Sequence, residues 1–144
     1  MLRLIALSAF LMVATTAIHA WGMMLAMKEI EWQGRGWLRR LRGTKAYRVG
    51  GIIFLMFLAT LVEVFIYALT YLALNAIEGF ERALYFSMVS FTTLGYGDIV
   101  LNENWRLLAS FEAANGIIMF GWTTAIVIAA VQDIYFGKKK EGED

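Results

Sequence analysis

An all-α membrane protein is the expectation for this chain, with three helices crossing a bilayer and a fourth, shorter helix entering and leaving on one side. Three observations carry it. Hydrophobic residues make up 60% of the 144 and charged ones 17%, against roughly 45–50% and 25% in a soluble domain. Mean hydropathy is +0.61, and a soluble protein this small has no core large enough to hide so much apolar surface. Long stretches are nearly free of charge, and one further segment has helical spacing but is too short to span. An ordinary soluble enzyme is excluded. Cysteine is absent, so no disulfide or thiolate metal site is available, and proline is absent, so no helix carries a proline kink.

The charge-free stretches are Leu4 to Met27, Ile52 to Leu74 and Ala113 to Gln132, with Glu63 the only charge among them. At 1.5 Å per residue, about 20 residues cross the roughly 30 Å hydrocarbon layer. Each is long enough, and Leu107 and Leu108 suggest that the last helix starts earlier than its charge-free part. The first stretch follows Met1 and Arg3 and invites comparison with a signal peptide. Its apolar run continues through Trp21 to Met27, beyond the 7–15 residues of a signal core. It is read as a retained helix.

Lysine and arginine give the orientation. Seven of the 13 basic residues lie between Lys28 and Arg48, and Lys138, Lys139 and Lys140 form the tail. Residues 75–104 hold only Arg82, against Glu78, Glu81, Asp98 and Glu103. The positive-inside rule then places the first loop and the C-terminus in the cytoplasm and the N-terminus outside. The basic run reads as this topogenic signal rather than as a lipid-binding device.

Between the second and third spans, Phe80, Leu84, Met88 and Phe91 share helical spacing. A segment of this length is re-entrant or interfacial. It runs directly into Thr92-Thr93-Leu94-Gly95-Tyr96-Gly97-Asp98. A column of oxygens for a dehydrated cation needs successive backbone carbonyls on one axis. An ordinary strand alternates them, so every second residue needs left-handed angles, which Gly95 and Gly97 adopt without a Cβ penalty. Thr93 adds its hydroxyl at the inner end. Non-helical backbone at membrane depth is tolerated only in protein or along a wet path.

This heptapeptide resembles the signature of the potassium-channel pore-domain family, the bacterial helix–pore loop–helix type, in which TVGYG loops select the ion with rings of backbone carbonyls. The resemblance covers roughly residues 50–136. It implies a selectivity filter of Thr93, Leu94, Gly95, Tyr96 and Gly97, with potassium held at Thr93, Leu94, Gly95 and Tyr96 as the permeant ion and no other cofactor. It implies support from Thr92 and Asp98, an aromatic pair Tyr85 and Phe86 around Tyr96, and a hinge at Gly116. Three departures stand out. A proline usual after the filter aspartate is missing near Leu101 and Asn102, Leu94 replaces Val or Ile, and an extra helix precedes the module. That helix lacks the regular arginines of a voltage sensor.

One chain supplies one loop, and coordination around an axis needs about four, so a homotetramer is expected. On the last helix, Ile117, Phe120, Gly121, Thr124, Ile128, Val131 and Gln132 share a face. That face is assigned to the pore, with Ile128 and Val131 as a candidate dewetting constriction. Glu63, Glu112 and Asn115 lie at similar depth; Glu112 and Asn115 are turned off the pore face and are expected to meet Glu63 or the short helix, a candidate buried acidic cluster, and His19 is read as the same kind of hydrogen-bonded packing group. The organisation is 1–48, first helix and basic loop; 49–136, pore module; 137–144, cytoplasmic tail. The expected function is passive, potassium-selective conduction across a cell inner (plasma) membrane, with lipid as surroundings and neither enzymatic activity nor nucleic acid involved. The alternatives are a non-selective cation channel, a subunit of a potassium uptake transporter, and a non-conducting membrane anchor.

External tetraethylammonium should block only weakly. Ile99 and Val100, not an aromatic ring, come directly after Asp98, and the family's sensitive members place a ring there. Dose-dependent block of potassium flux measures this. Potent block would mean that another ring, such as Trp105, lines the mouth.

Overall fold

The computed structural model describes residues 1–31 and 45–136. Those residues form four helices and no strand: α1 (Leu2–Glu31), α2 (Lys45–Ala73), α3 (Phe80–Phe91) and α4 (Arg106–Phe136). Three of them, α1, α2 and α4, are long and apolar enough to cross a membrane. The remainder of the basic loop, including Arg35, Arg39, Arg40 and Arg42, and the tail Lys138 to Lys140 lie outside the described residues. Each spanning helix continues past its charge-free stretch, because charged ends such as Lys28, Lys45 and Arg106 belong to the interface rather than the hydrocarbon.

α2 ends in a left-handed cap. Asn75 has φ 51°, and the amide of Ala76 donates to the Tyr71 carbonyl at 2.9 Å. This satisfies carbonyls that the helix end leaves open. Gly79, φ 87°, then turns the chain into α3. At the far side of the loop, Asn102 starts α4, its side-chain oxygen accepting the Asn104 amide at 3.0 Å and its carbonyl accepting those of Trp105 and Arg106. Connections this short hold the ends of α2, α3 and α4 on the same side.

α1 packs on both α2 and α4. One apolar cluster joins Leu11, Val64, Tyr67, Tyr71, Phe86, Phe91, Leu108 and Met119 around α3. A second joins Ala26, Ile52, Met56, Ile126, Ala130 and Ile134 toward the opposite end. Between the two clusters runs a polar belt. His19 Nδ1 lies 2.8 Å from Glu63 Oε1 and His19 Nε2 3.0 Å from Thr123 Oγ1. One turn away, Asn115 Nδ2 donates to Thr15 Oγ1 at 2.9 Å. All of these residues except Thr123 are fully buried. Small residues let the backbones approach: a Cβ on Gly22 would sit 3.1 Å from that of Ala59. At the far end, the Lys45 ammonium stands 5.0 Å over the Tyr135 ring and joins α2 to α4. Removing α1 would turn Glu63 and Asn115 toward hydrocarbon without partners.

The tightest backbone contact is that of α4 with the end of α3. A Cβ on Gly116 would land on the Phe91 carbonyl oxygen, with its carbonyl carbon at 2.9 Å. Both are backbone atoms that cannot rotate aside. Gly121, by contrast, has nothing within 4 Å in the chain. Gly116→Ala should therefore cost about 1–3 kcal/mol or more by overpacking, whereas Gly121→Ala should leave stability unchanged or raised by helix propensity. Thermal melting of the two purified variants checks the difference; equal midpoints would mean that α4 does not press on α3.

Candidate functional site

α3 stops at a pair of threonines. Thr92 is still helical, its Oγ1 donating to the Met88 carbonyl at 2.7 Å, and the helix ends because Thr93 takes φ 59°. The Thr93 amide then bonds to the Ser90 carbonyl at 2.9 Å and the Leu94 amide to that of Val89 at 2.9 Å. This is a Schellman cap with threonine in the left-handed position. A β-branched residue there is strained, at a cost of about 1–2 kcal/mol. The cap consumes the loop's first amides, which leaves the loop carbonyls free. Among the described residues, no backbone hydrogen bond falls on the carbonyls of Thr93 to Gly97.

The strained angle is the first of a series. Positive φ occurs at Thr93 (59°), Gly95 (55°) and Gly97 (79°), alternating with ordinary angles at Leu94 and Tyr96. Alternation of this kind turns successive carbonyls to the same side of the loop, where a strand would oppose them. Sequence reasoning identified the glycines. It gave Thr93 only an oxygen-donor role, since threonine is a poor predictor of left-handed backbone. Gly95 and Gly97 have open space where a Cβ would stand, so the constraint on them is conformational rather than steric.

The aromatic pair divides its work. Phe86 is buried and stands edge-on to Tyr71 of α2, centroids 5.2 Å apart. It fixes the back of α3 against α2. Tyr85 is exposed and reaches forward, and its hydrogen bond to Asp98 raises the phenol above its ordinary pKa. Tyr96 is 66% exposed and Leu94 54% exposed within one chain. On α4, Ile117, Phe120, Thr124 and Ile128 are exposed and Val131 half-buried, whereas Leu108, Glu112, Asn115, Gly116, Met119, Ile126, Ala130 and Ile134 are buried against the other helices. One face of α4 is therefore unoccupied along most of its length. Gly116, expected as a hinge, is a packing contact in this structure.

Glu63, Glu112 and Asn115 each have their own hydrogen-bond partner, and Glu112 meets the short helix as expected. Glu63 pairs with His19 of α1, Asn115 with Thr15 of α1, and Glu112 with α2 and α3. His19 is thus a hydrogen-bonded strut, with Glu63 and Thr123 as its partners. Ser87, Tyr71 and Thr15 had no place in the sequence reading. Their signal was a lone hydroxyl on the buried side of an apolar helix, which matters only once a carboxylate is known to face it.

The contacts of Glu112 hold α3 in place. Its Oε2 accepts from the Tyr71 hydroxyl at 2.5 Å, and its Oε1 lies 2.5 Å from Ser87 Oγ. Ser87 Oγ also lies 2.8 Å from the Val64 carbonyl. Serine has a single hydroxyl hydrogen. That hydrogen is shared between the Glu112 carboxylate oxygen and the Val64 carbonyl. α2, α3 and α4 then meet in one fully satisfied network at 0% exposure.

Residues 55–133, more than half of the chain, match a family model whose description is ion channel. Comparison with curated proteins and comparison with solved structures each gave no match.

The two contacts of Glu112 predict how its variants behave. Glutamine can donate to Ser87 Oγ and accept from Tyr71, so Glu112→Gln should keep stability and ion flux near wild type. Glu112→Ala leaves a buried tyrosine hydroxyl unpaired and opens a cavity, costing about 2–5 kcal/mol. Flux in liposomes beside thermal melting checks both. Loss of flux in Glu112→Gln with an intact assembly would mean that a negative charge at this position acts on the ions.

Proposed function

The chain belongs to the ion channel family, and on that premise we propose that it is a potassium-selective channel whose filter is Thr93-Leu94-Gly95-Tyr96-Gly97. As a family member with three apolar spans, it is a multi-pass membrane protein. The observation that carries the potassium reading is the alternation of positive φ at Thr93, Gly95 and Gly97, at the end of a helix too short to span.

Four such loops around a common axis, from four copies of the chain, would stack rings of carbonyls that replace the hydration shell of a potassium ion. The exposed face of α4, with Ile117, Phe120, Thr124, Ile128 and Val131, would line the approach to those rings. The partially negative C-terminal end of α3 points its last turn toward the filter, which favours a cation waiting there. Asp98, with Glu78, Glu81 and Glu103 on the same side, would raise cation concentration at the mouth. The N-terminus lies outside and the C-terminus in the cytoplasm of a cell inner membrane, on the distribution of lysine and arginine. Conduction is passive, down the electrochemical gradient.

Gly95→Ala tests this reading. A Cβ at φ 55° costs about 1–2 kcal/mol in each of four subunits, so the carbonyl column should lose its geometry while the helical packing survives. Potassium flux, or its preference over sodium, should be lost in liposomes containing only the purified variant, with tetramers still present by cross-linking. Unchanged selectivity would remove the filter assignment.

A further inference from the structure

α1 meets the helix proposed to line the conduction path through a directional bond. His19, fully buried midway along α1, has both ring nitrogens occupied: Nδ1 lies 2.8 Å from Glu63 Oε1 of α2, and Nε2 3.0 Å from Thr123 Oγ1 of α4. Glu63 as a carboxylate only accepts, so Nδ1 carries the hydrogen and Nε2 accepts from the Thr123 hydroxyl. The Glu63 bond fixes the ring, and Trp122 flanks it with centroids 5.5 Å apart. Thr16, Thr70, Thr92 and Thr124 each donate to the carbonyl four residues before them, on their own helix. Thr123 gives its hydroxyl to another helix instead.

The position matters because of what surrounds it on α4. Thr124, the next residue, is turned about 100° from Thr123 and stands exposed on the unoccupied face. Ile128, the first residue of the candidate constriction, lies about 7.5 Å further inward. Outward of Thr123, α4 is pinned by Gly116 against Phe91 and by Asn115 to Thr15. Inward of it, Ile126, Ala130 and Ile134 pack on Ala26, Ile52 and Met56, and apolar contact has no preferred direction. Among the described residues, the His19–Thr123 bond is the innermost hydrogen bond from α1 to α4. We propose that α1 is a built-in brake on conduction, with His19 as the positioning residue that restrains α4 through Thr123. Passage through an apolar constriction that gates by dewetting rises steeply with its width. A restrained helix samples a narrow range of widths. A freed one reaches wider openings too, and these dominate the mean, so release raises flux. Ion preference stays, because the filter is held by the separate junction of Glu112 with Tyr71 and Ser87.

This brake presupposes the channel reading. The test compares Thr123→Val, which keeps the side-chain shape without the hydroxyl, with Thr123→Ser, which keeps the hydroxyl. In liposomes containing the purified protein, Thr123→Val should raise potassium flux about two- to tenfold, the equilibrium factor of one net hydrogen bond. Its preference for potassium over sodium should be unchanged, and Thr123→Ser should match wild type. Thr123→Ala carries the same prediction as Thr123→Val and keeps the comparison open if the larger side chain disturbs assembly. The chain has no cysteine, so a nitroxide on Thr124→Cys reports α4 alone. Its spectrum should show greater mobility when combined with Thr123→Val and not with Thr123→Ser, a measurement that requires no conduction. Equal or lower flux in Thr123→Val with tetramers present by cross-linking, altered ion preference, or failure of Thr123→Ser to match wild type would overturn the brake. An unmoved label in a conducting chain would overturn it alone, whereas a wild-type chain that passes no potassium would sink the channel reading and the brake with it.

Discussion

A carboxyl group that has left water must find its partners in protein, and Glu112 finds them on two helices at once. Tyr71 of α2 and Ser87 of α3 close on its two oxygens, and Ser87 turns its remaining contact to the Val64 carbonyl. A helix of twelve residues is marginal by itself. α3 owes its depth and angle to this junction, to the edge-on contact of Phe86 with Tyr71, and to Gly116 pressing on Phe91. Everything downstream of Phe91 inherits that placement.

The inherited arrangement is economical. The residue that ends α3 is also the residue that starts the alternating backbone, because the left-handed angle of Thr93 serves both the cap and the loop. Helix termination uses the loop's amides and spares its carbonyls. Strain at Thr93 is held by the two capping hydrogen bonds, and the later left-handed positions fall on glycine, where they cost little. The order of residues in the heptapeptide thus follows from two separate requirements, stopping a helix and aligning oxygens.

Much of this was legible in the chain. Charge-free stretches marked the three spans, and the spacing of Phe80, Leu84, Met88 and Phe91 marked α3 with the same first and last residues that the structure gives it. Gly95 and Gly97 marked where the backbone had to turn left-handed. Cross-helix pairing was not legible. His19 and Glu63 stand 44 positions apart and Thr15 and Asn115 stand 100 apart, and no periodicity within one helix says which face meets which neighbour. Phe86 was expected around Tyr96 from the family resemblance, and within one chain its ring stands edge-on to Tyr71. Consecutive residues on a helix face about 100° apart, and the second ring of the pair packs on Tyr71 of α2.

The His19–Glu63 pair also has a history during synthesis. α1 enters the membrane first, with His19 and Thr15 midway along it, and its partner on α2 has not yet been made. At about 5–20 residues per second, the 44 intervening residues take roughly 2–9 s. For that interval the imidazole has no carboxylate, and α1 is held in the bilayer by its leucines, methionines and aromatics alone. Arrival of α2 ends the wait, and arrival of α4 completes the belt through Thr123 and Asn115. The belt is therefore a latch that closes in the order of translation, α1 waiting with its polar groups open until α2 and α4 supply their partners.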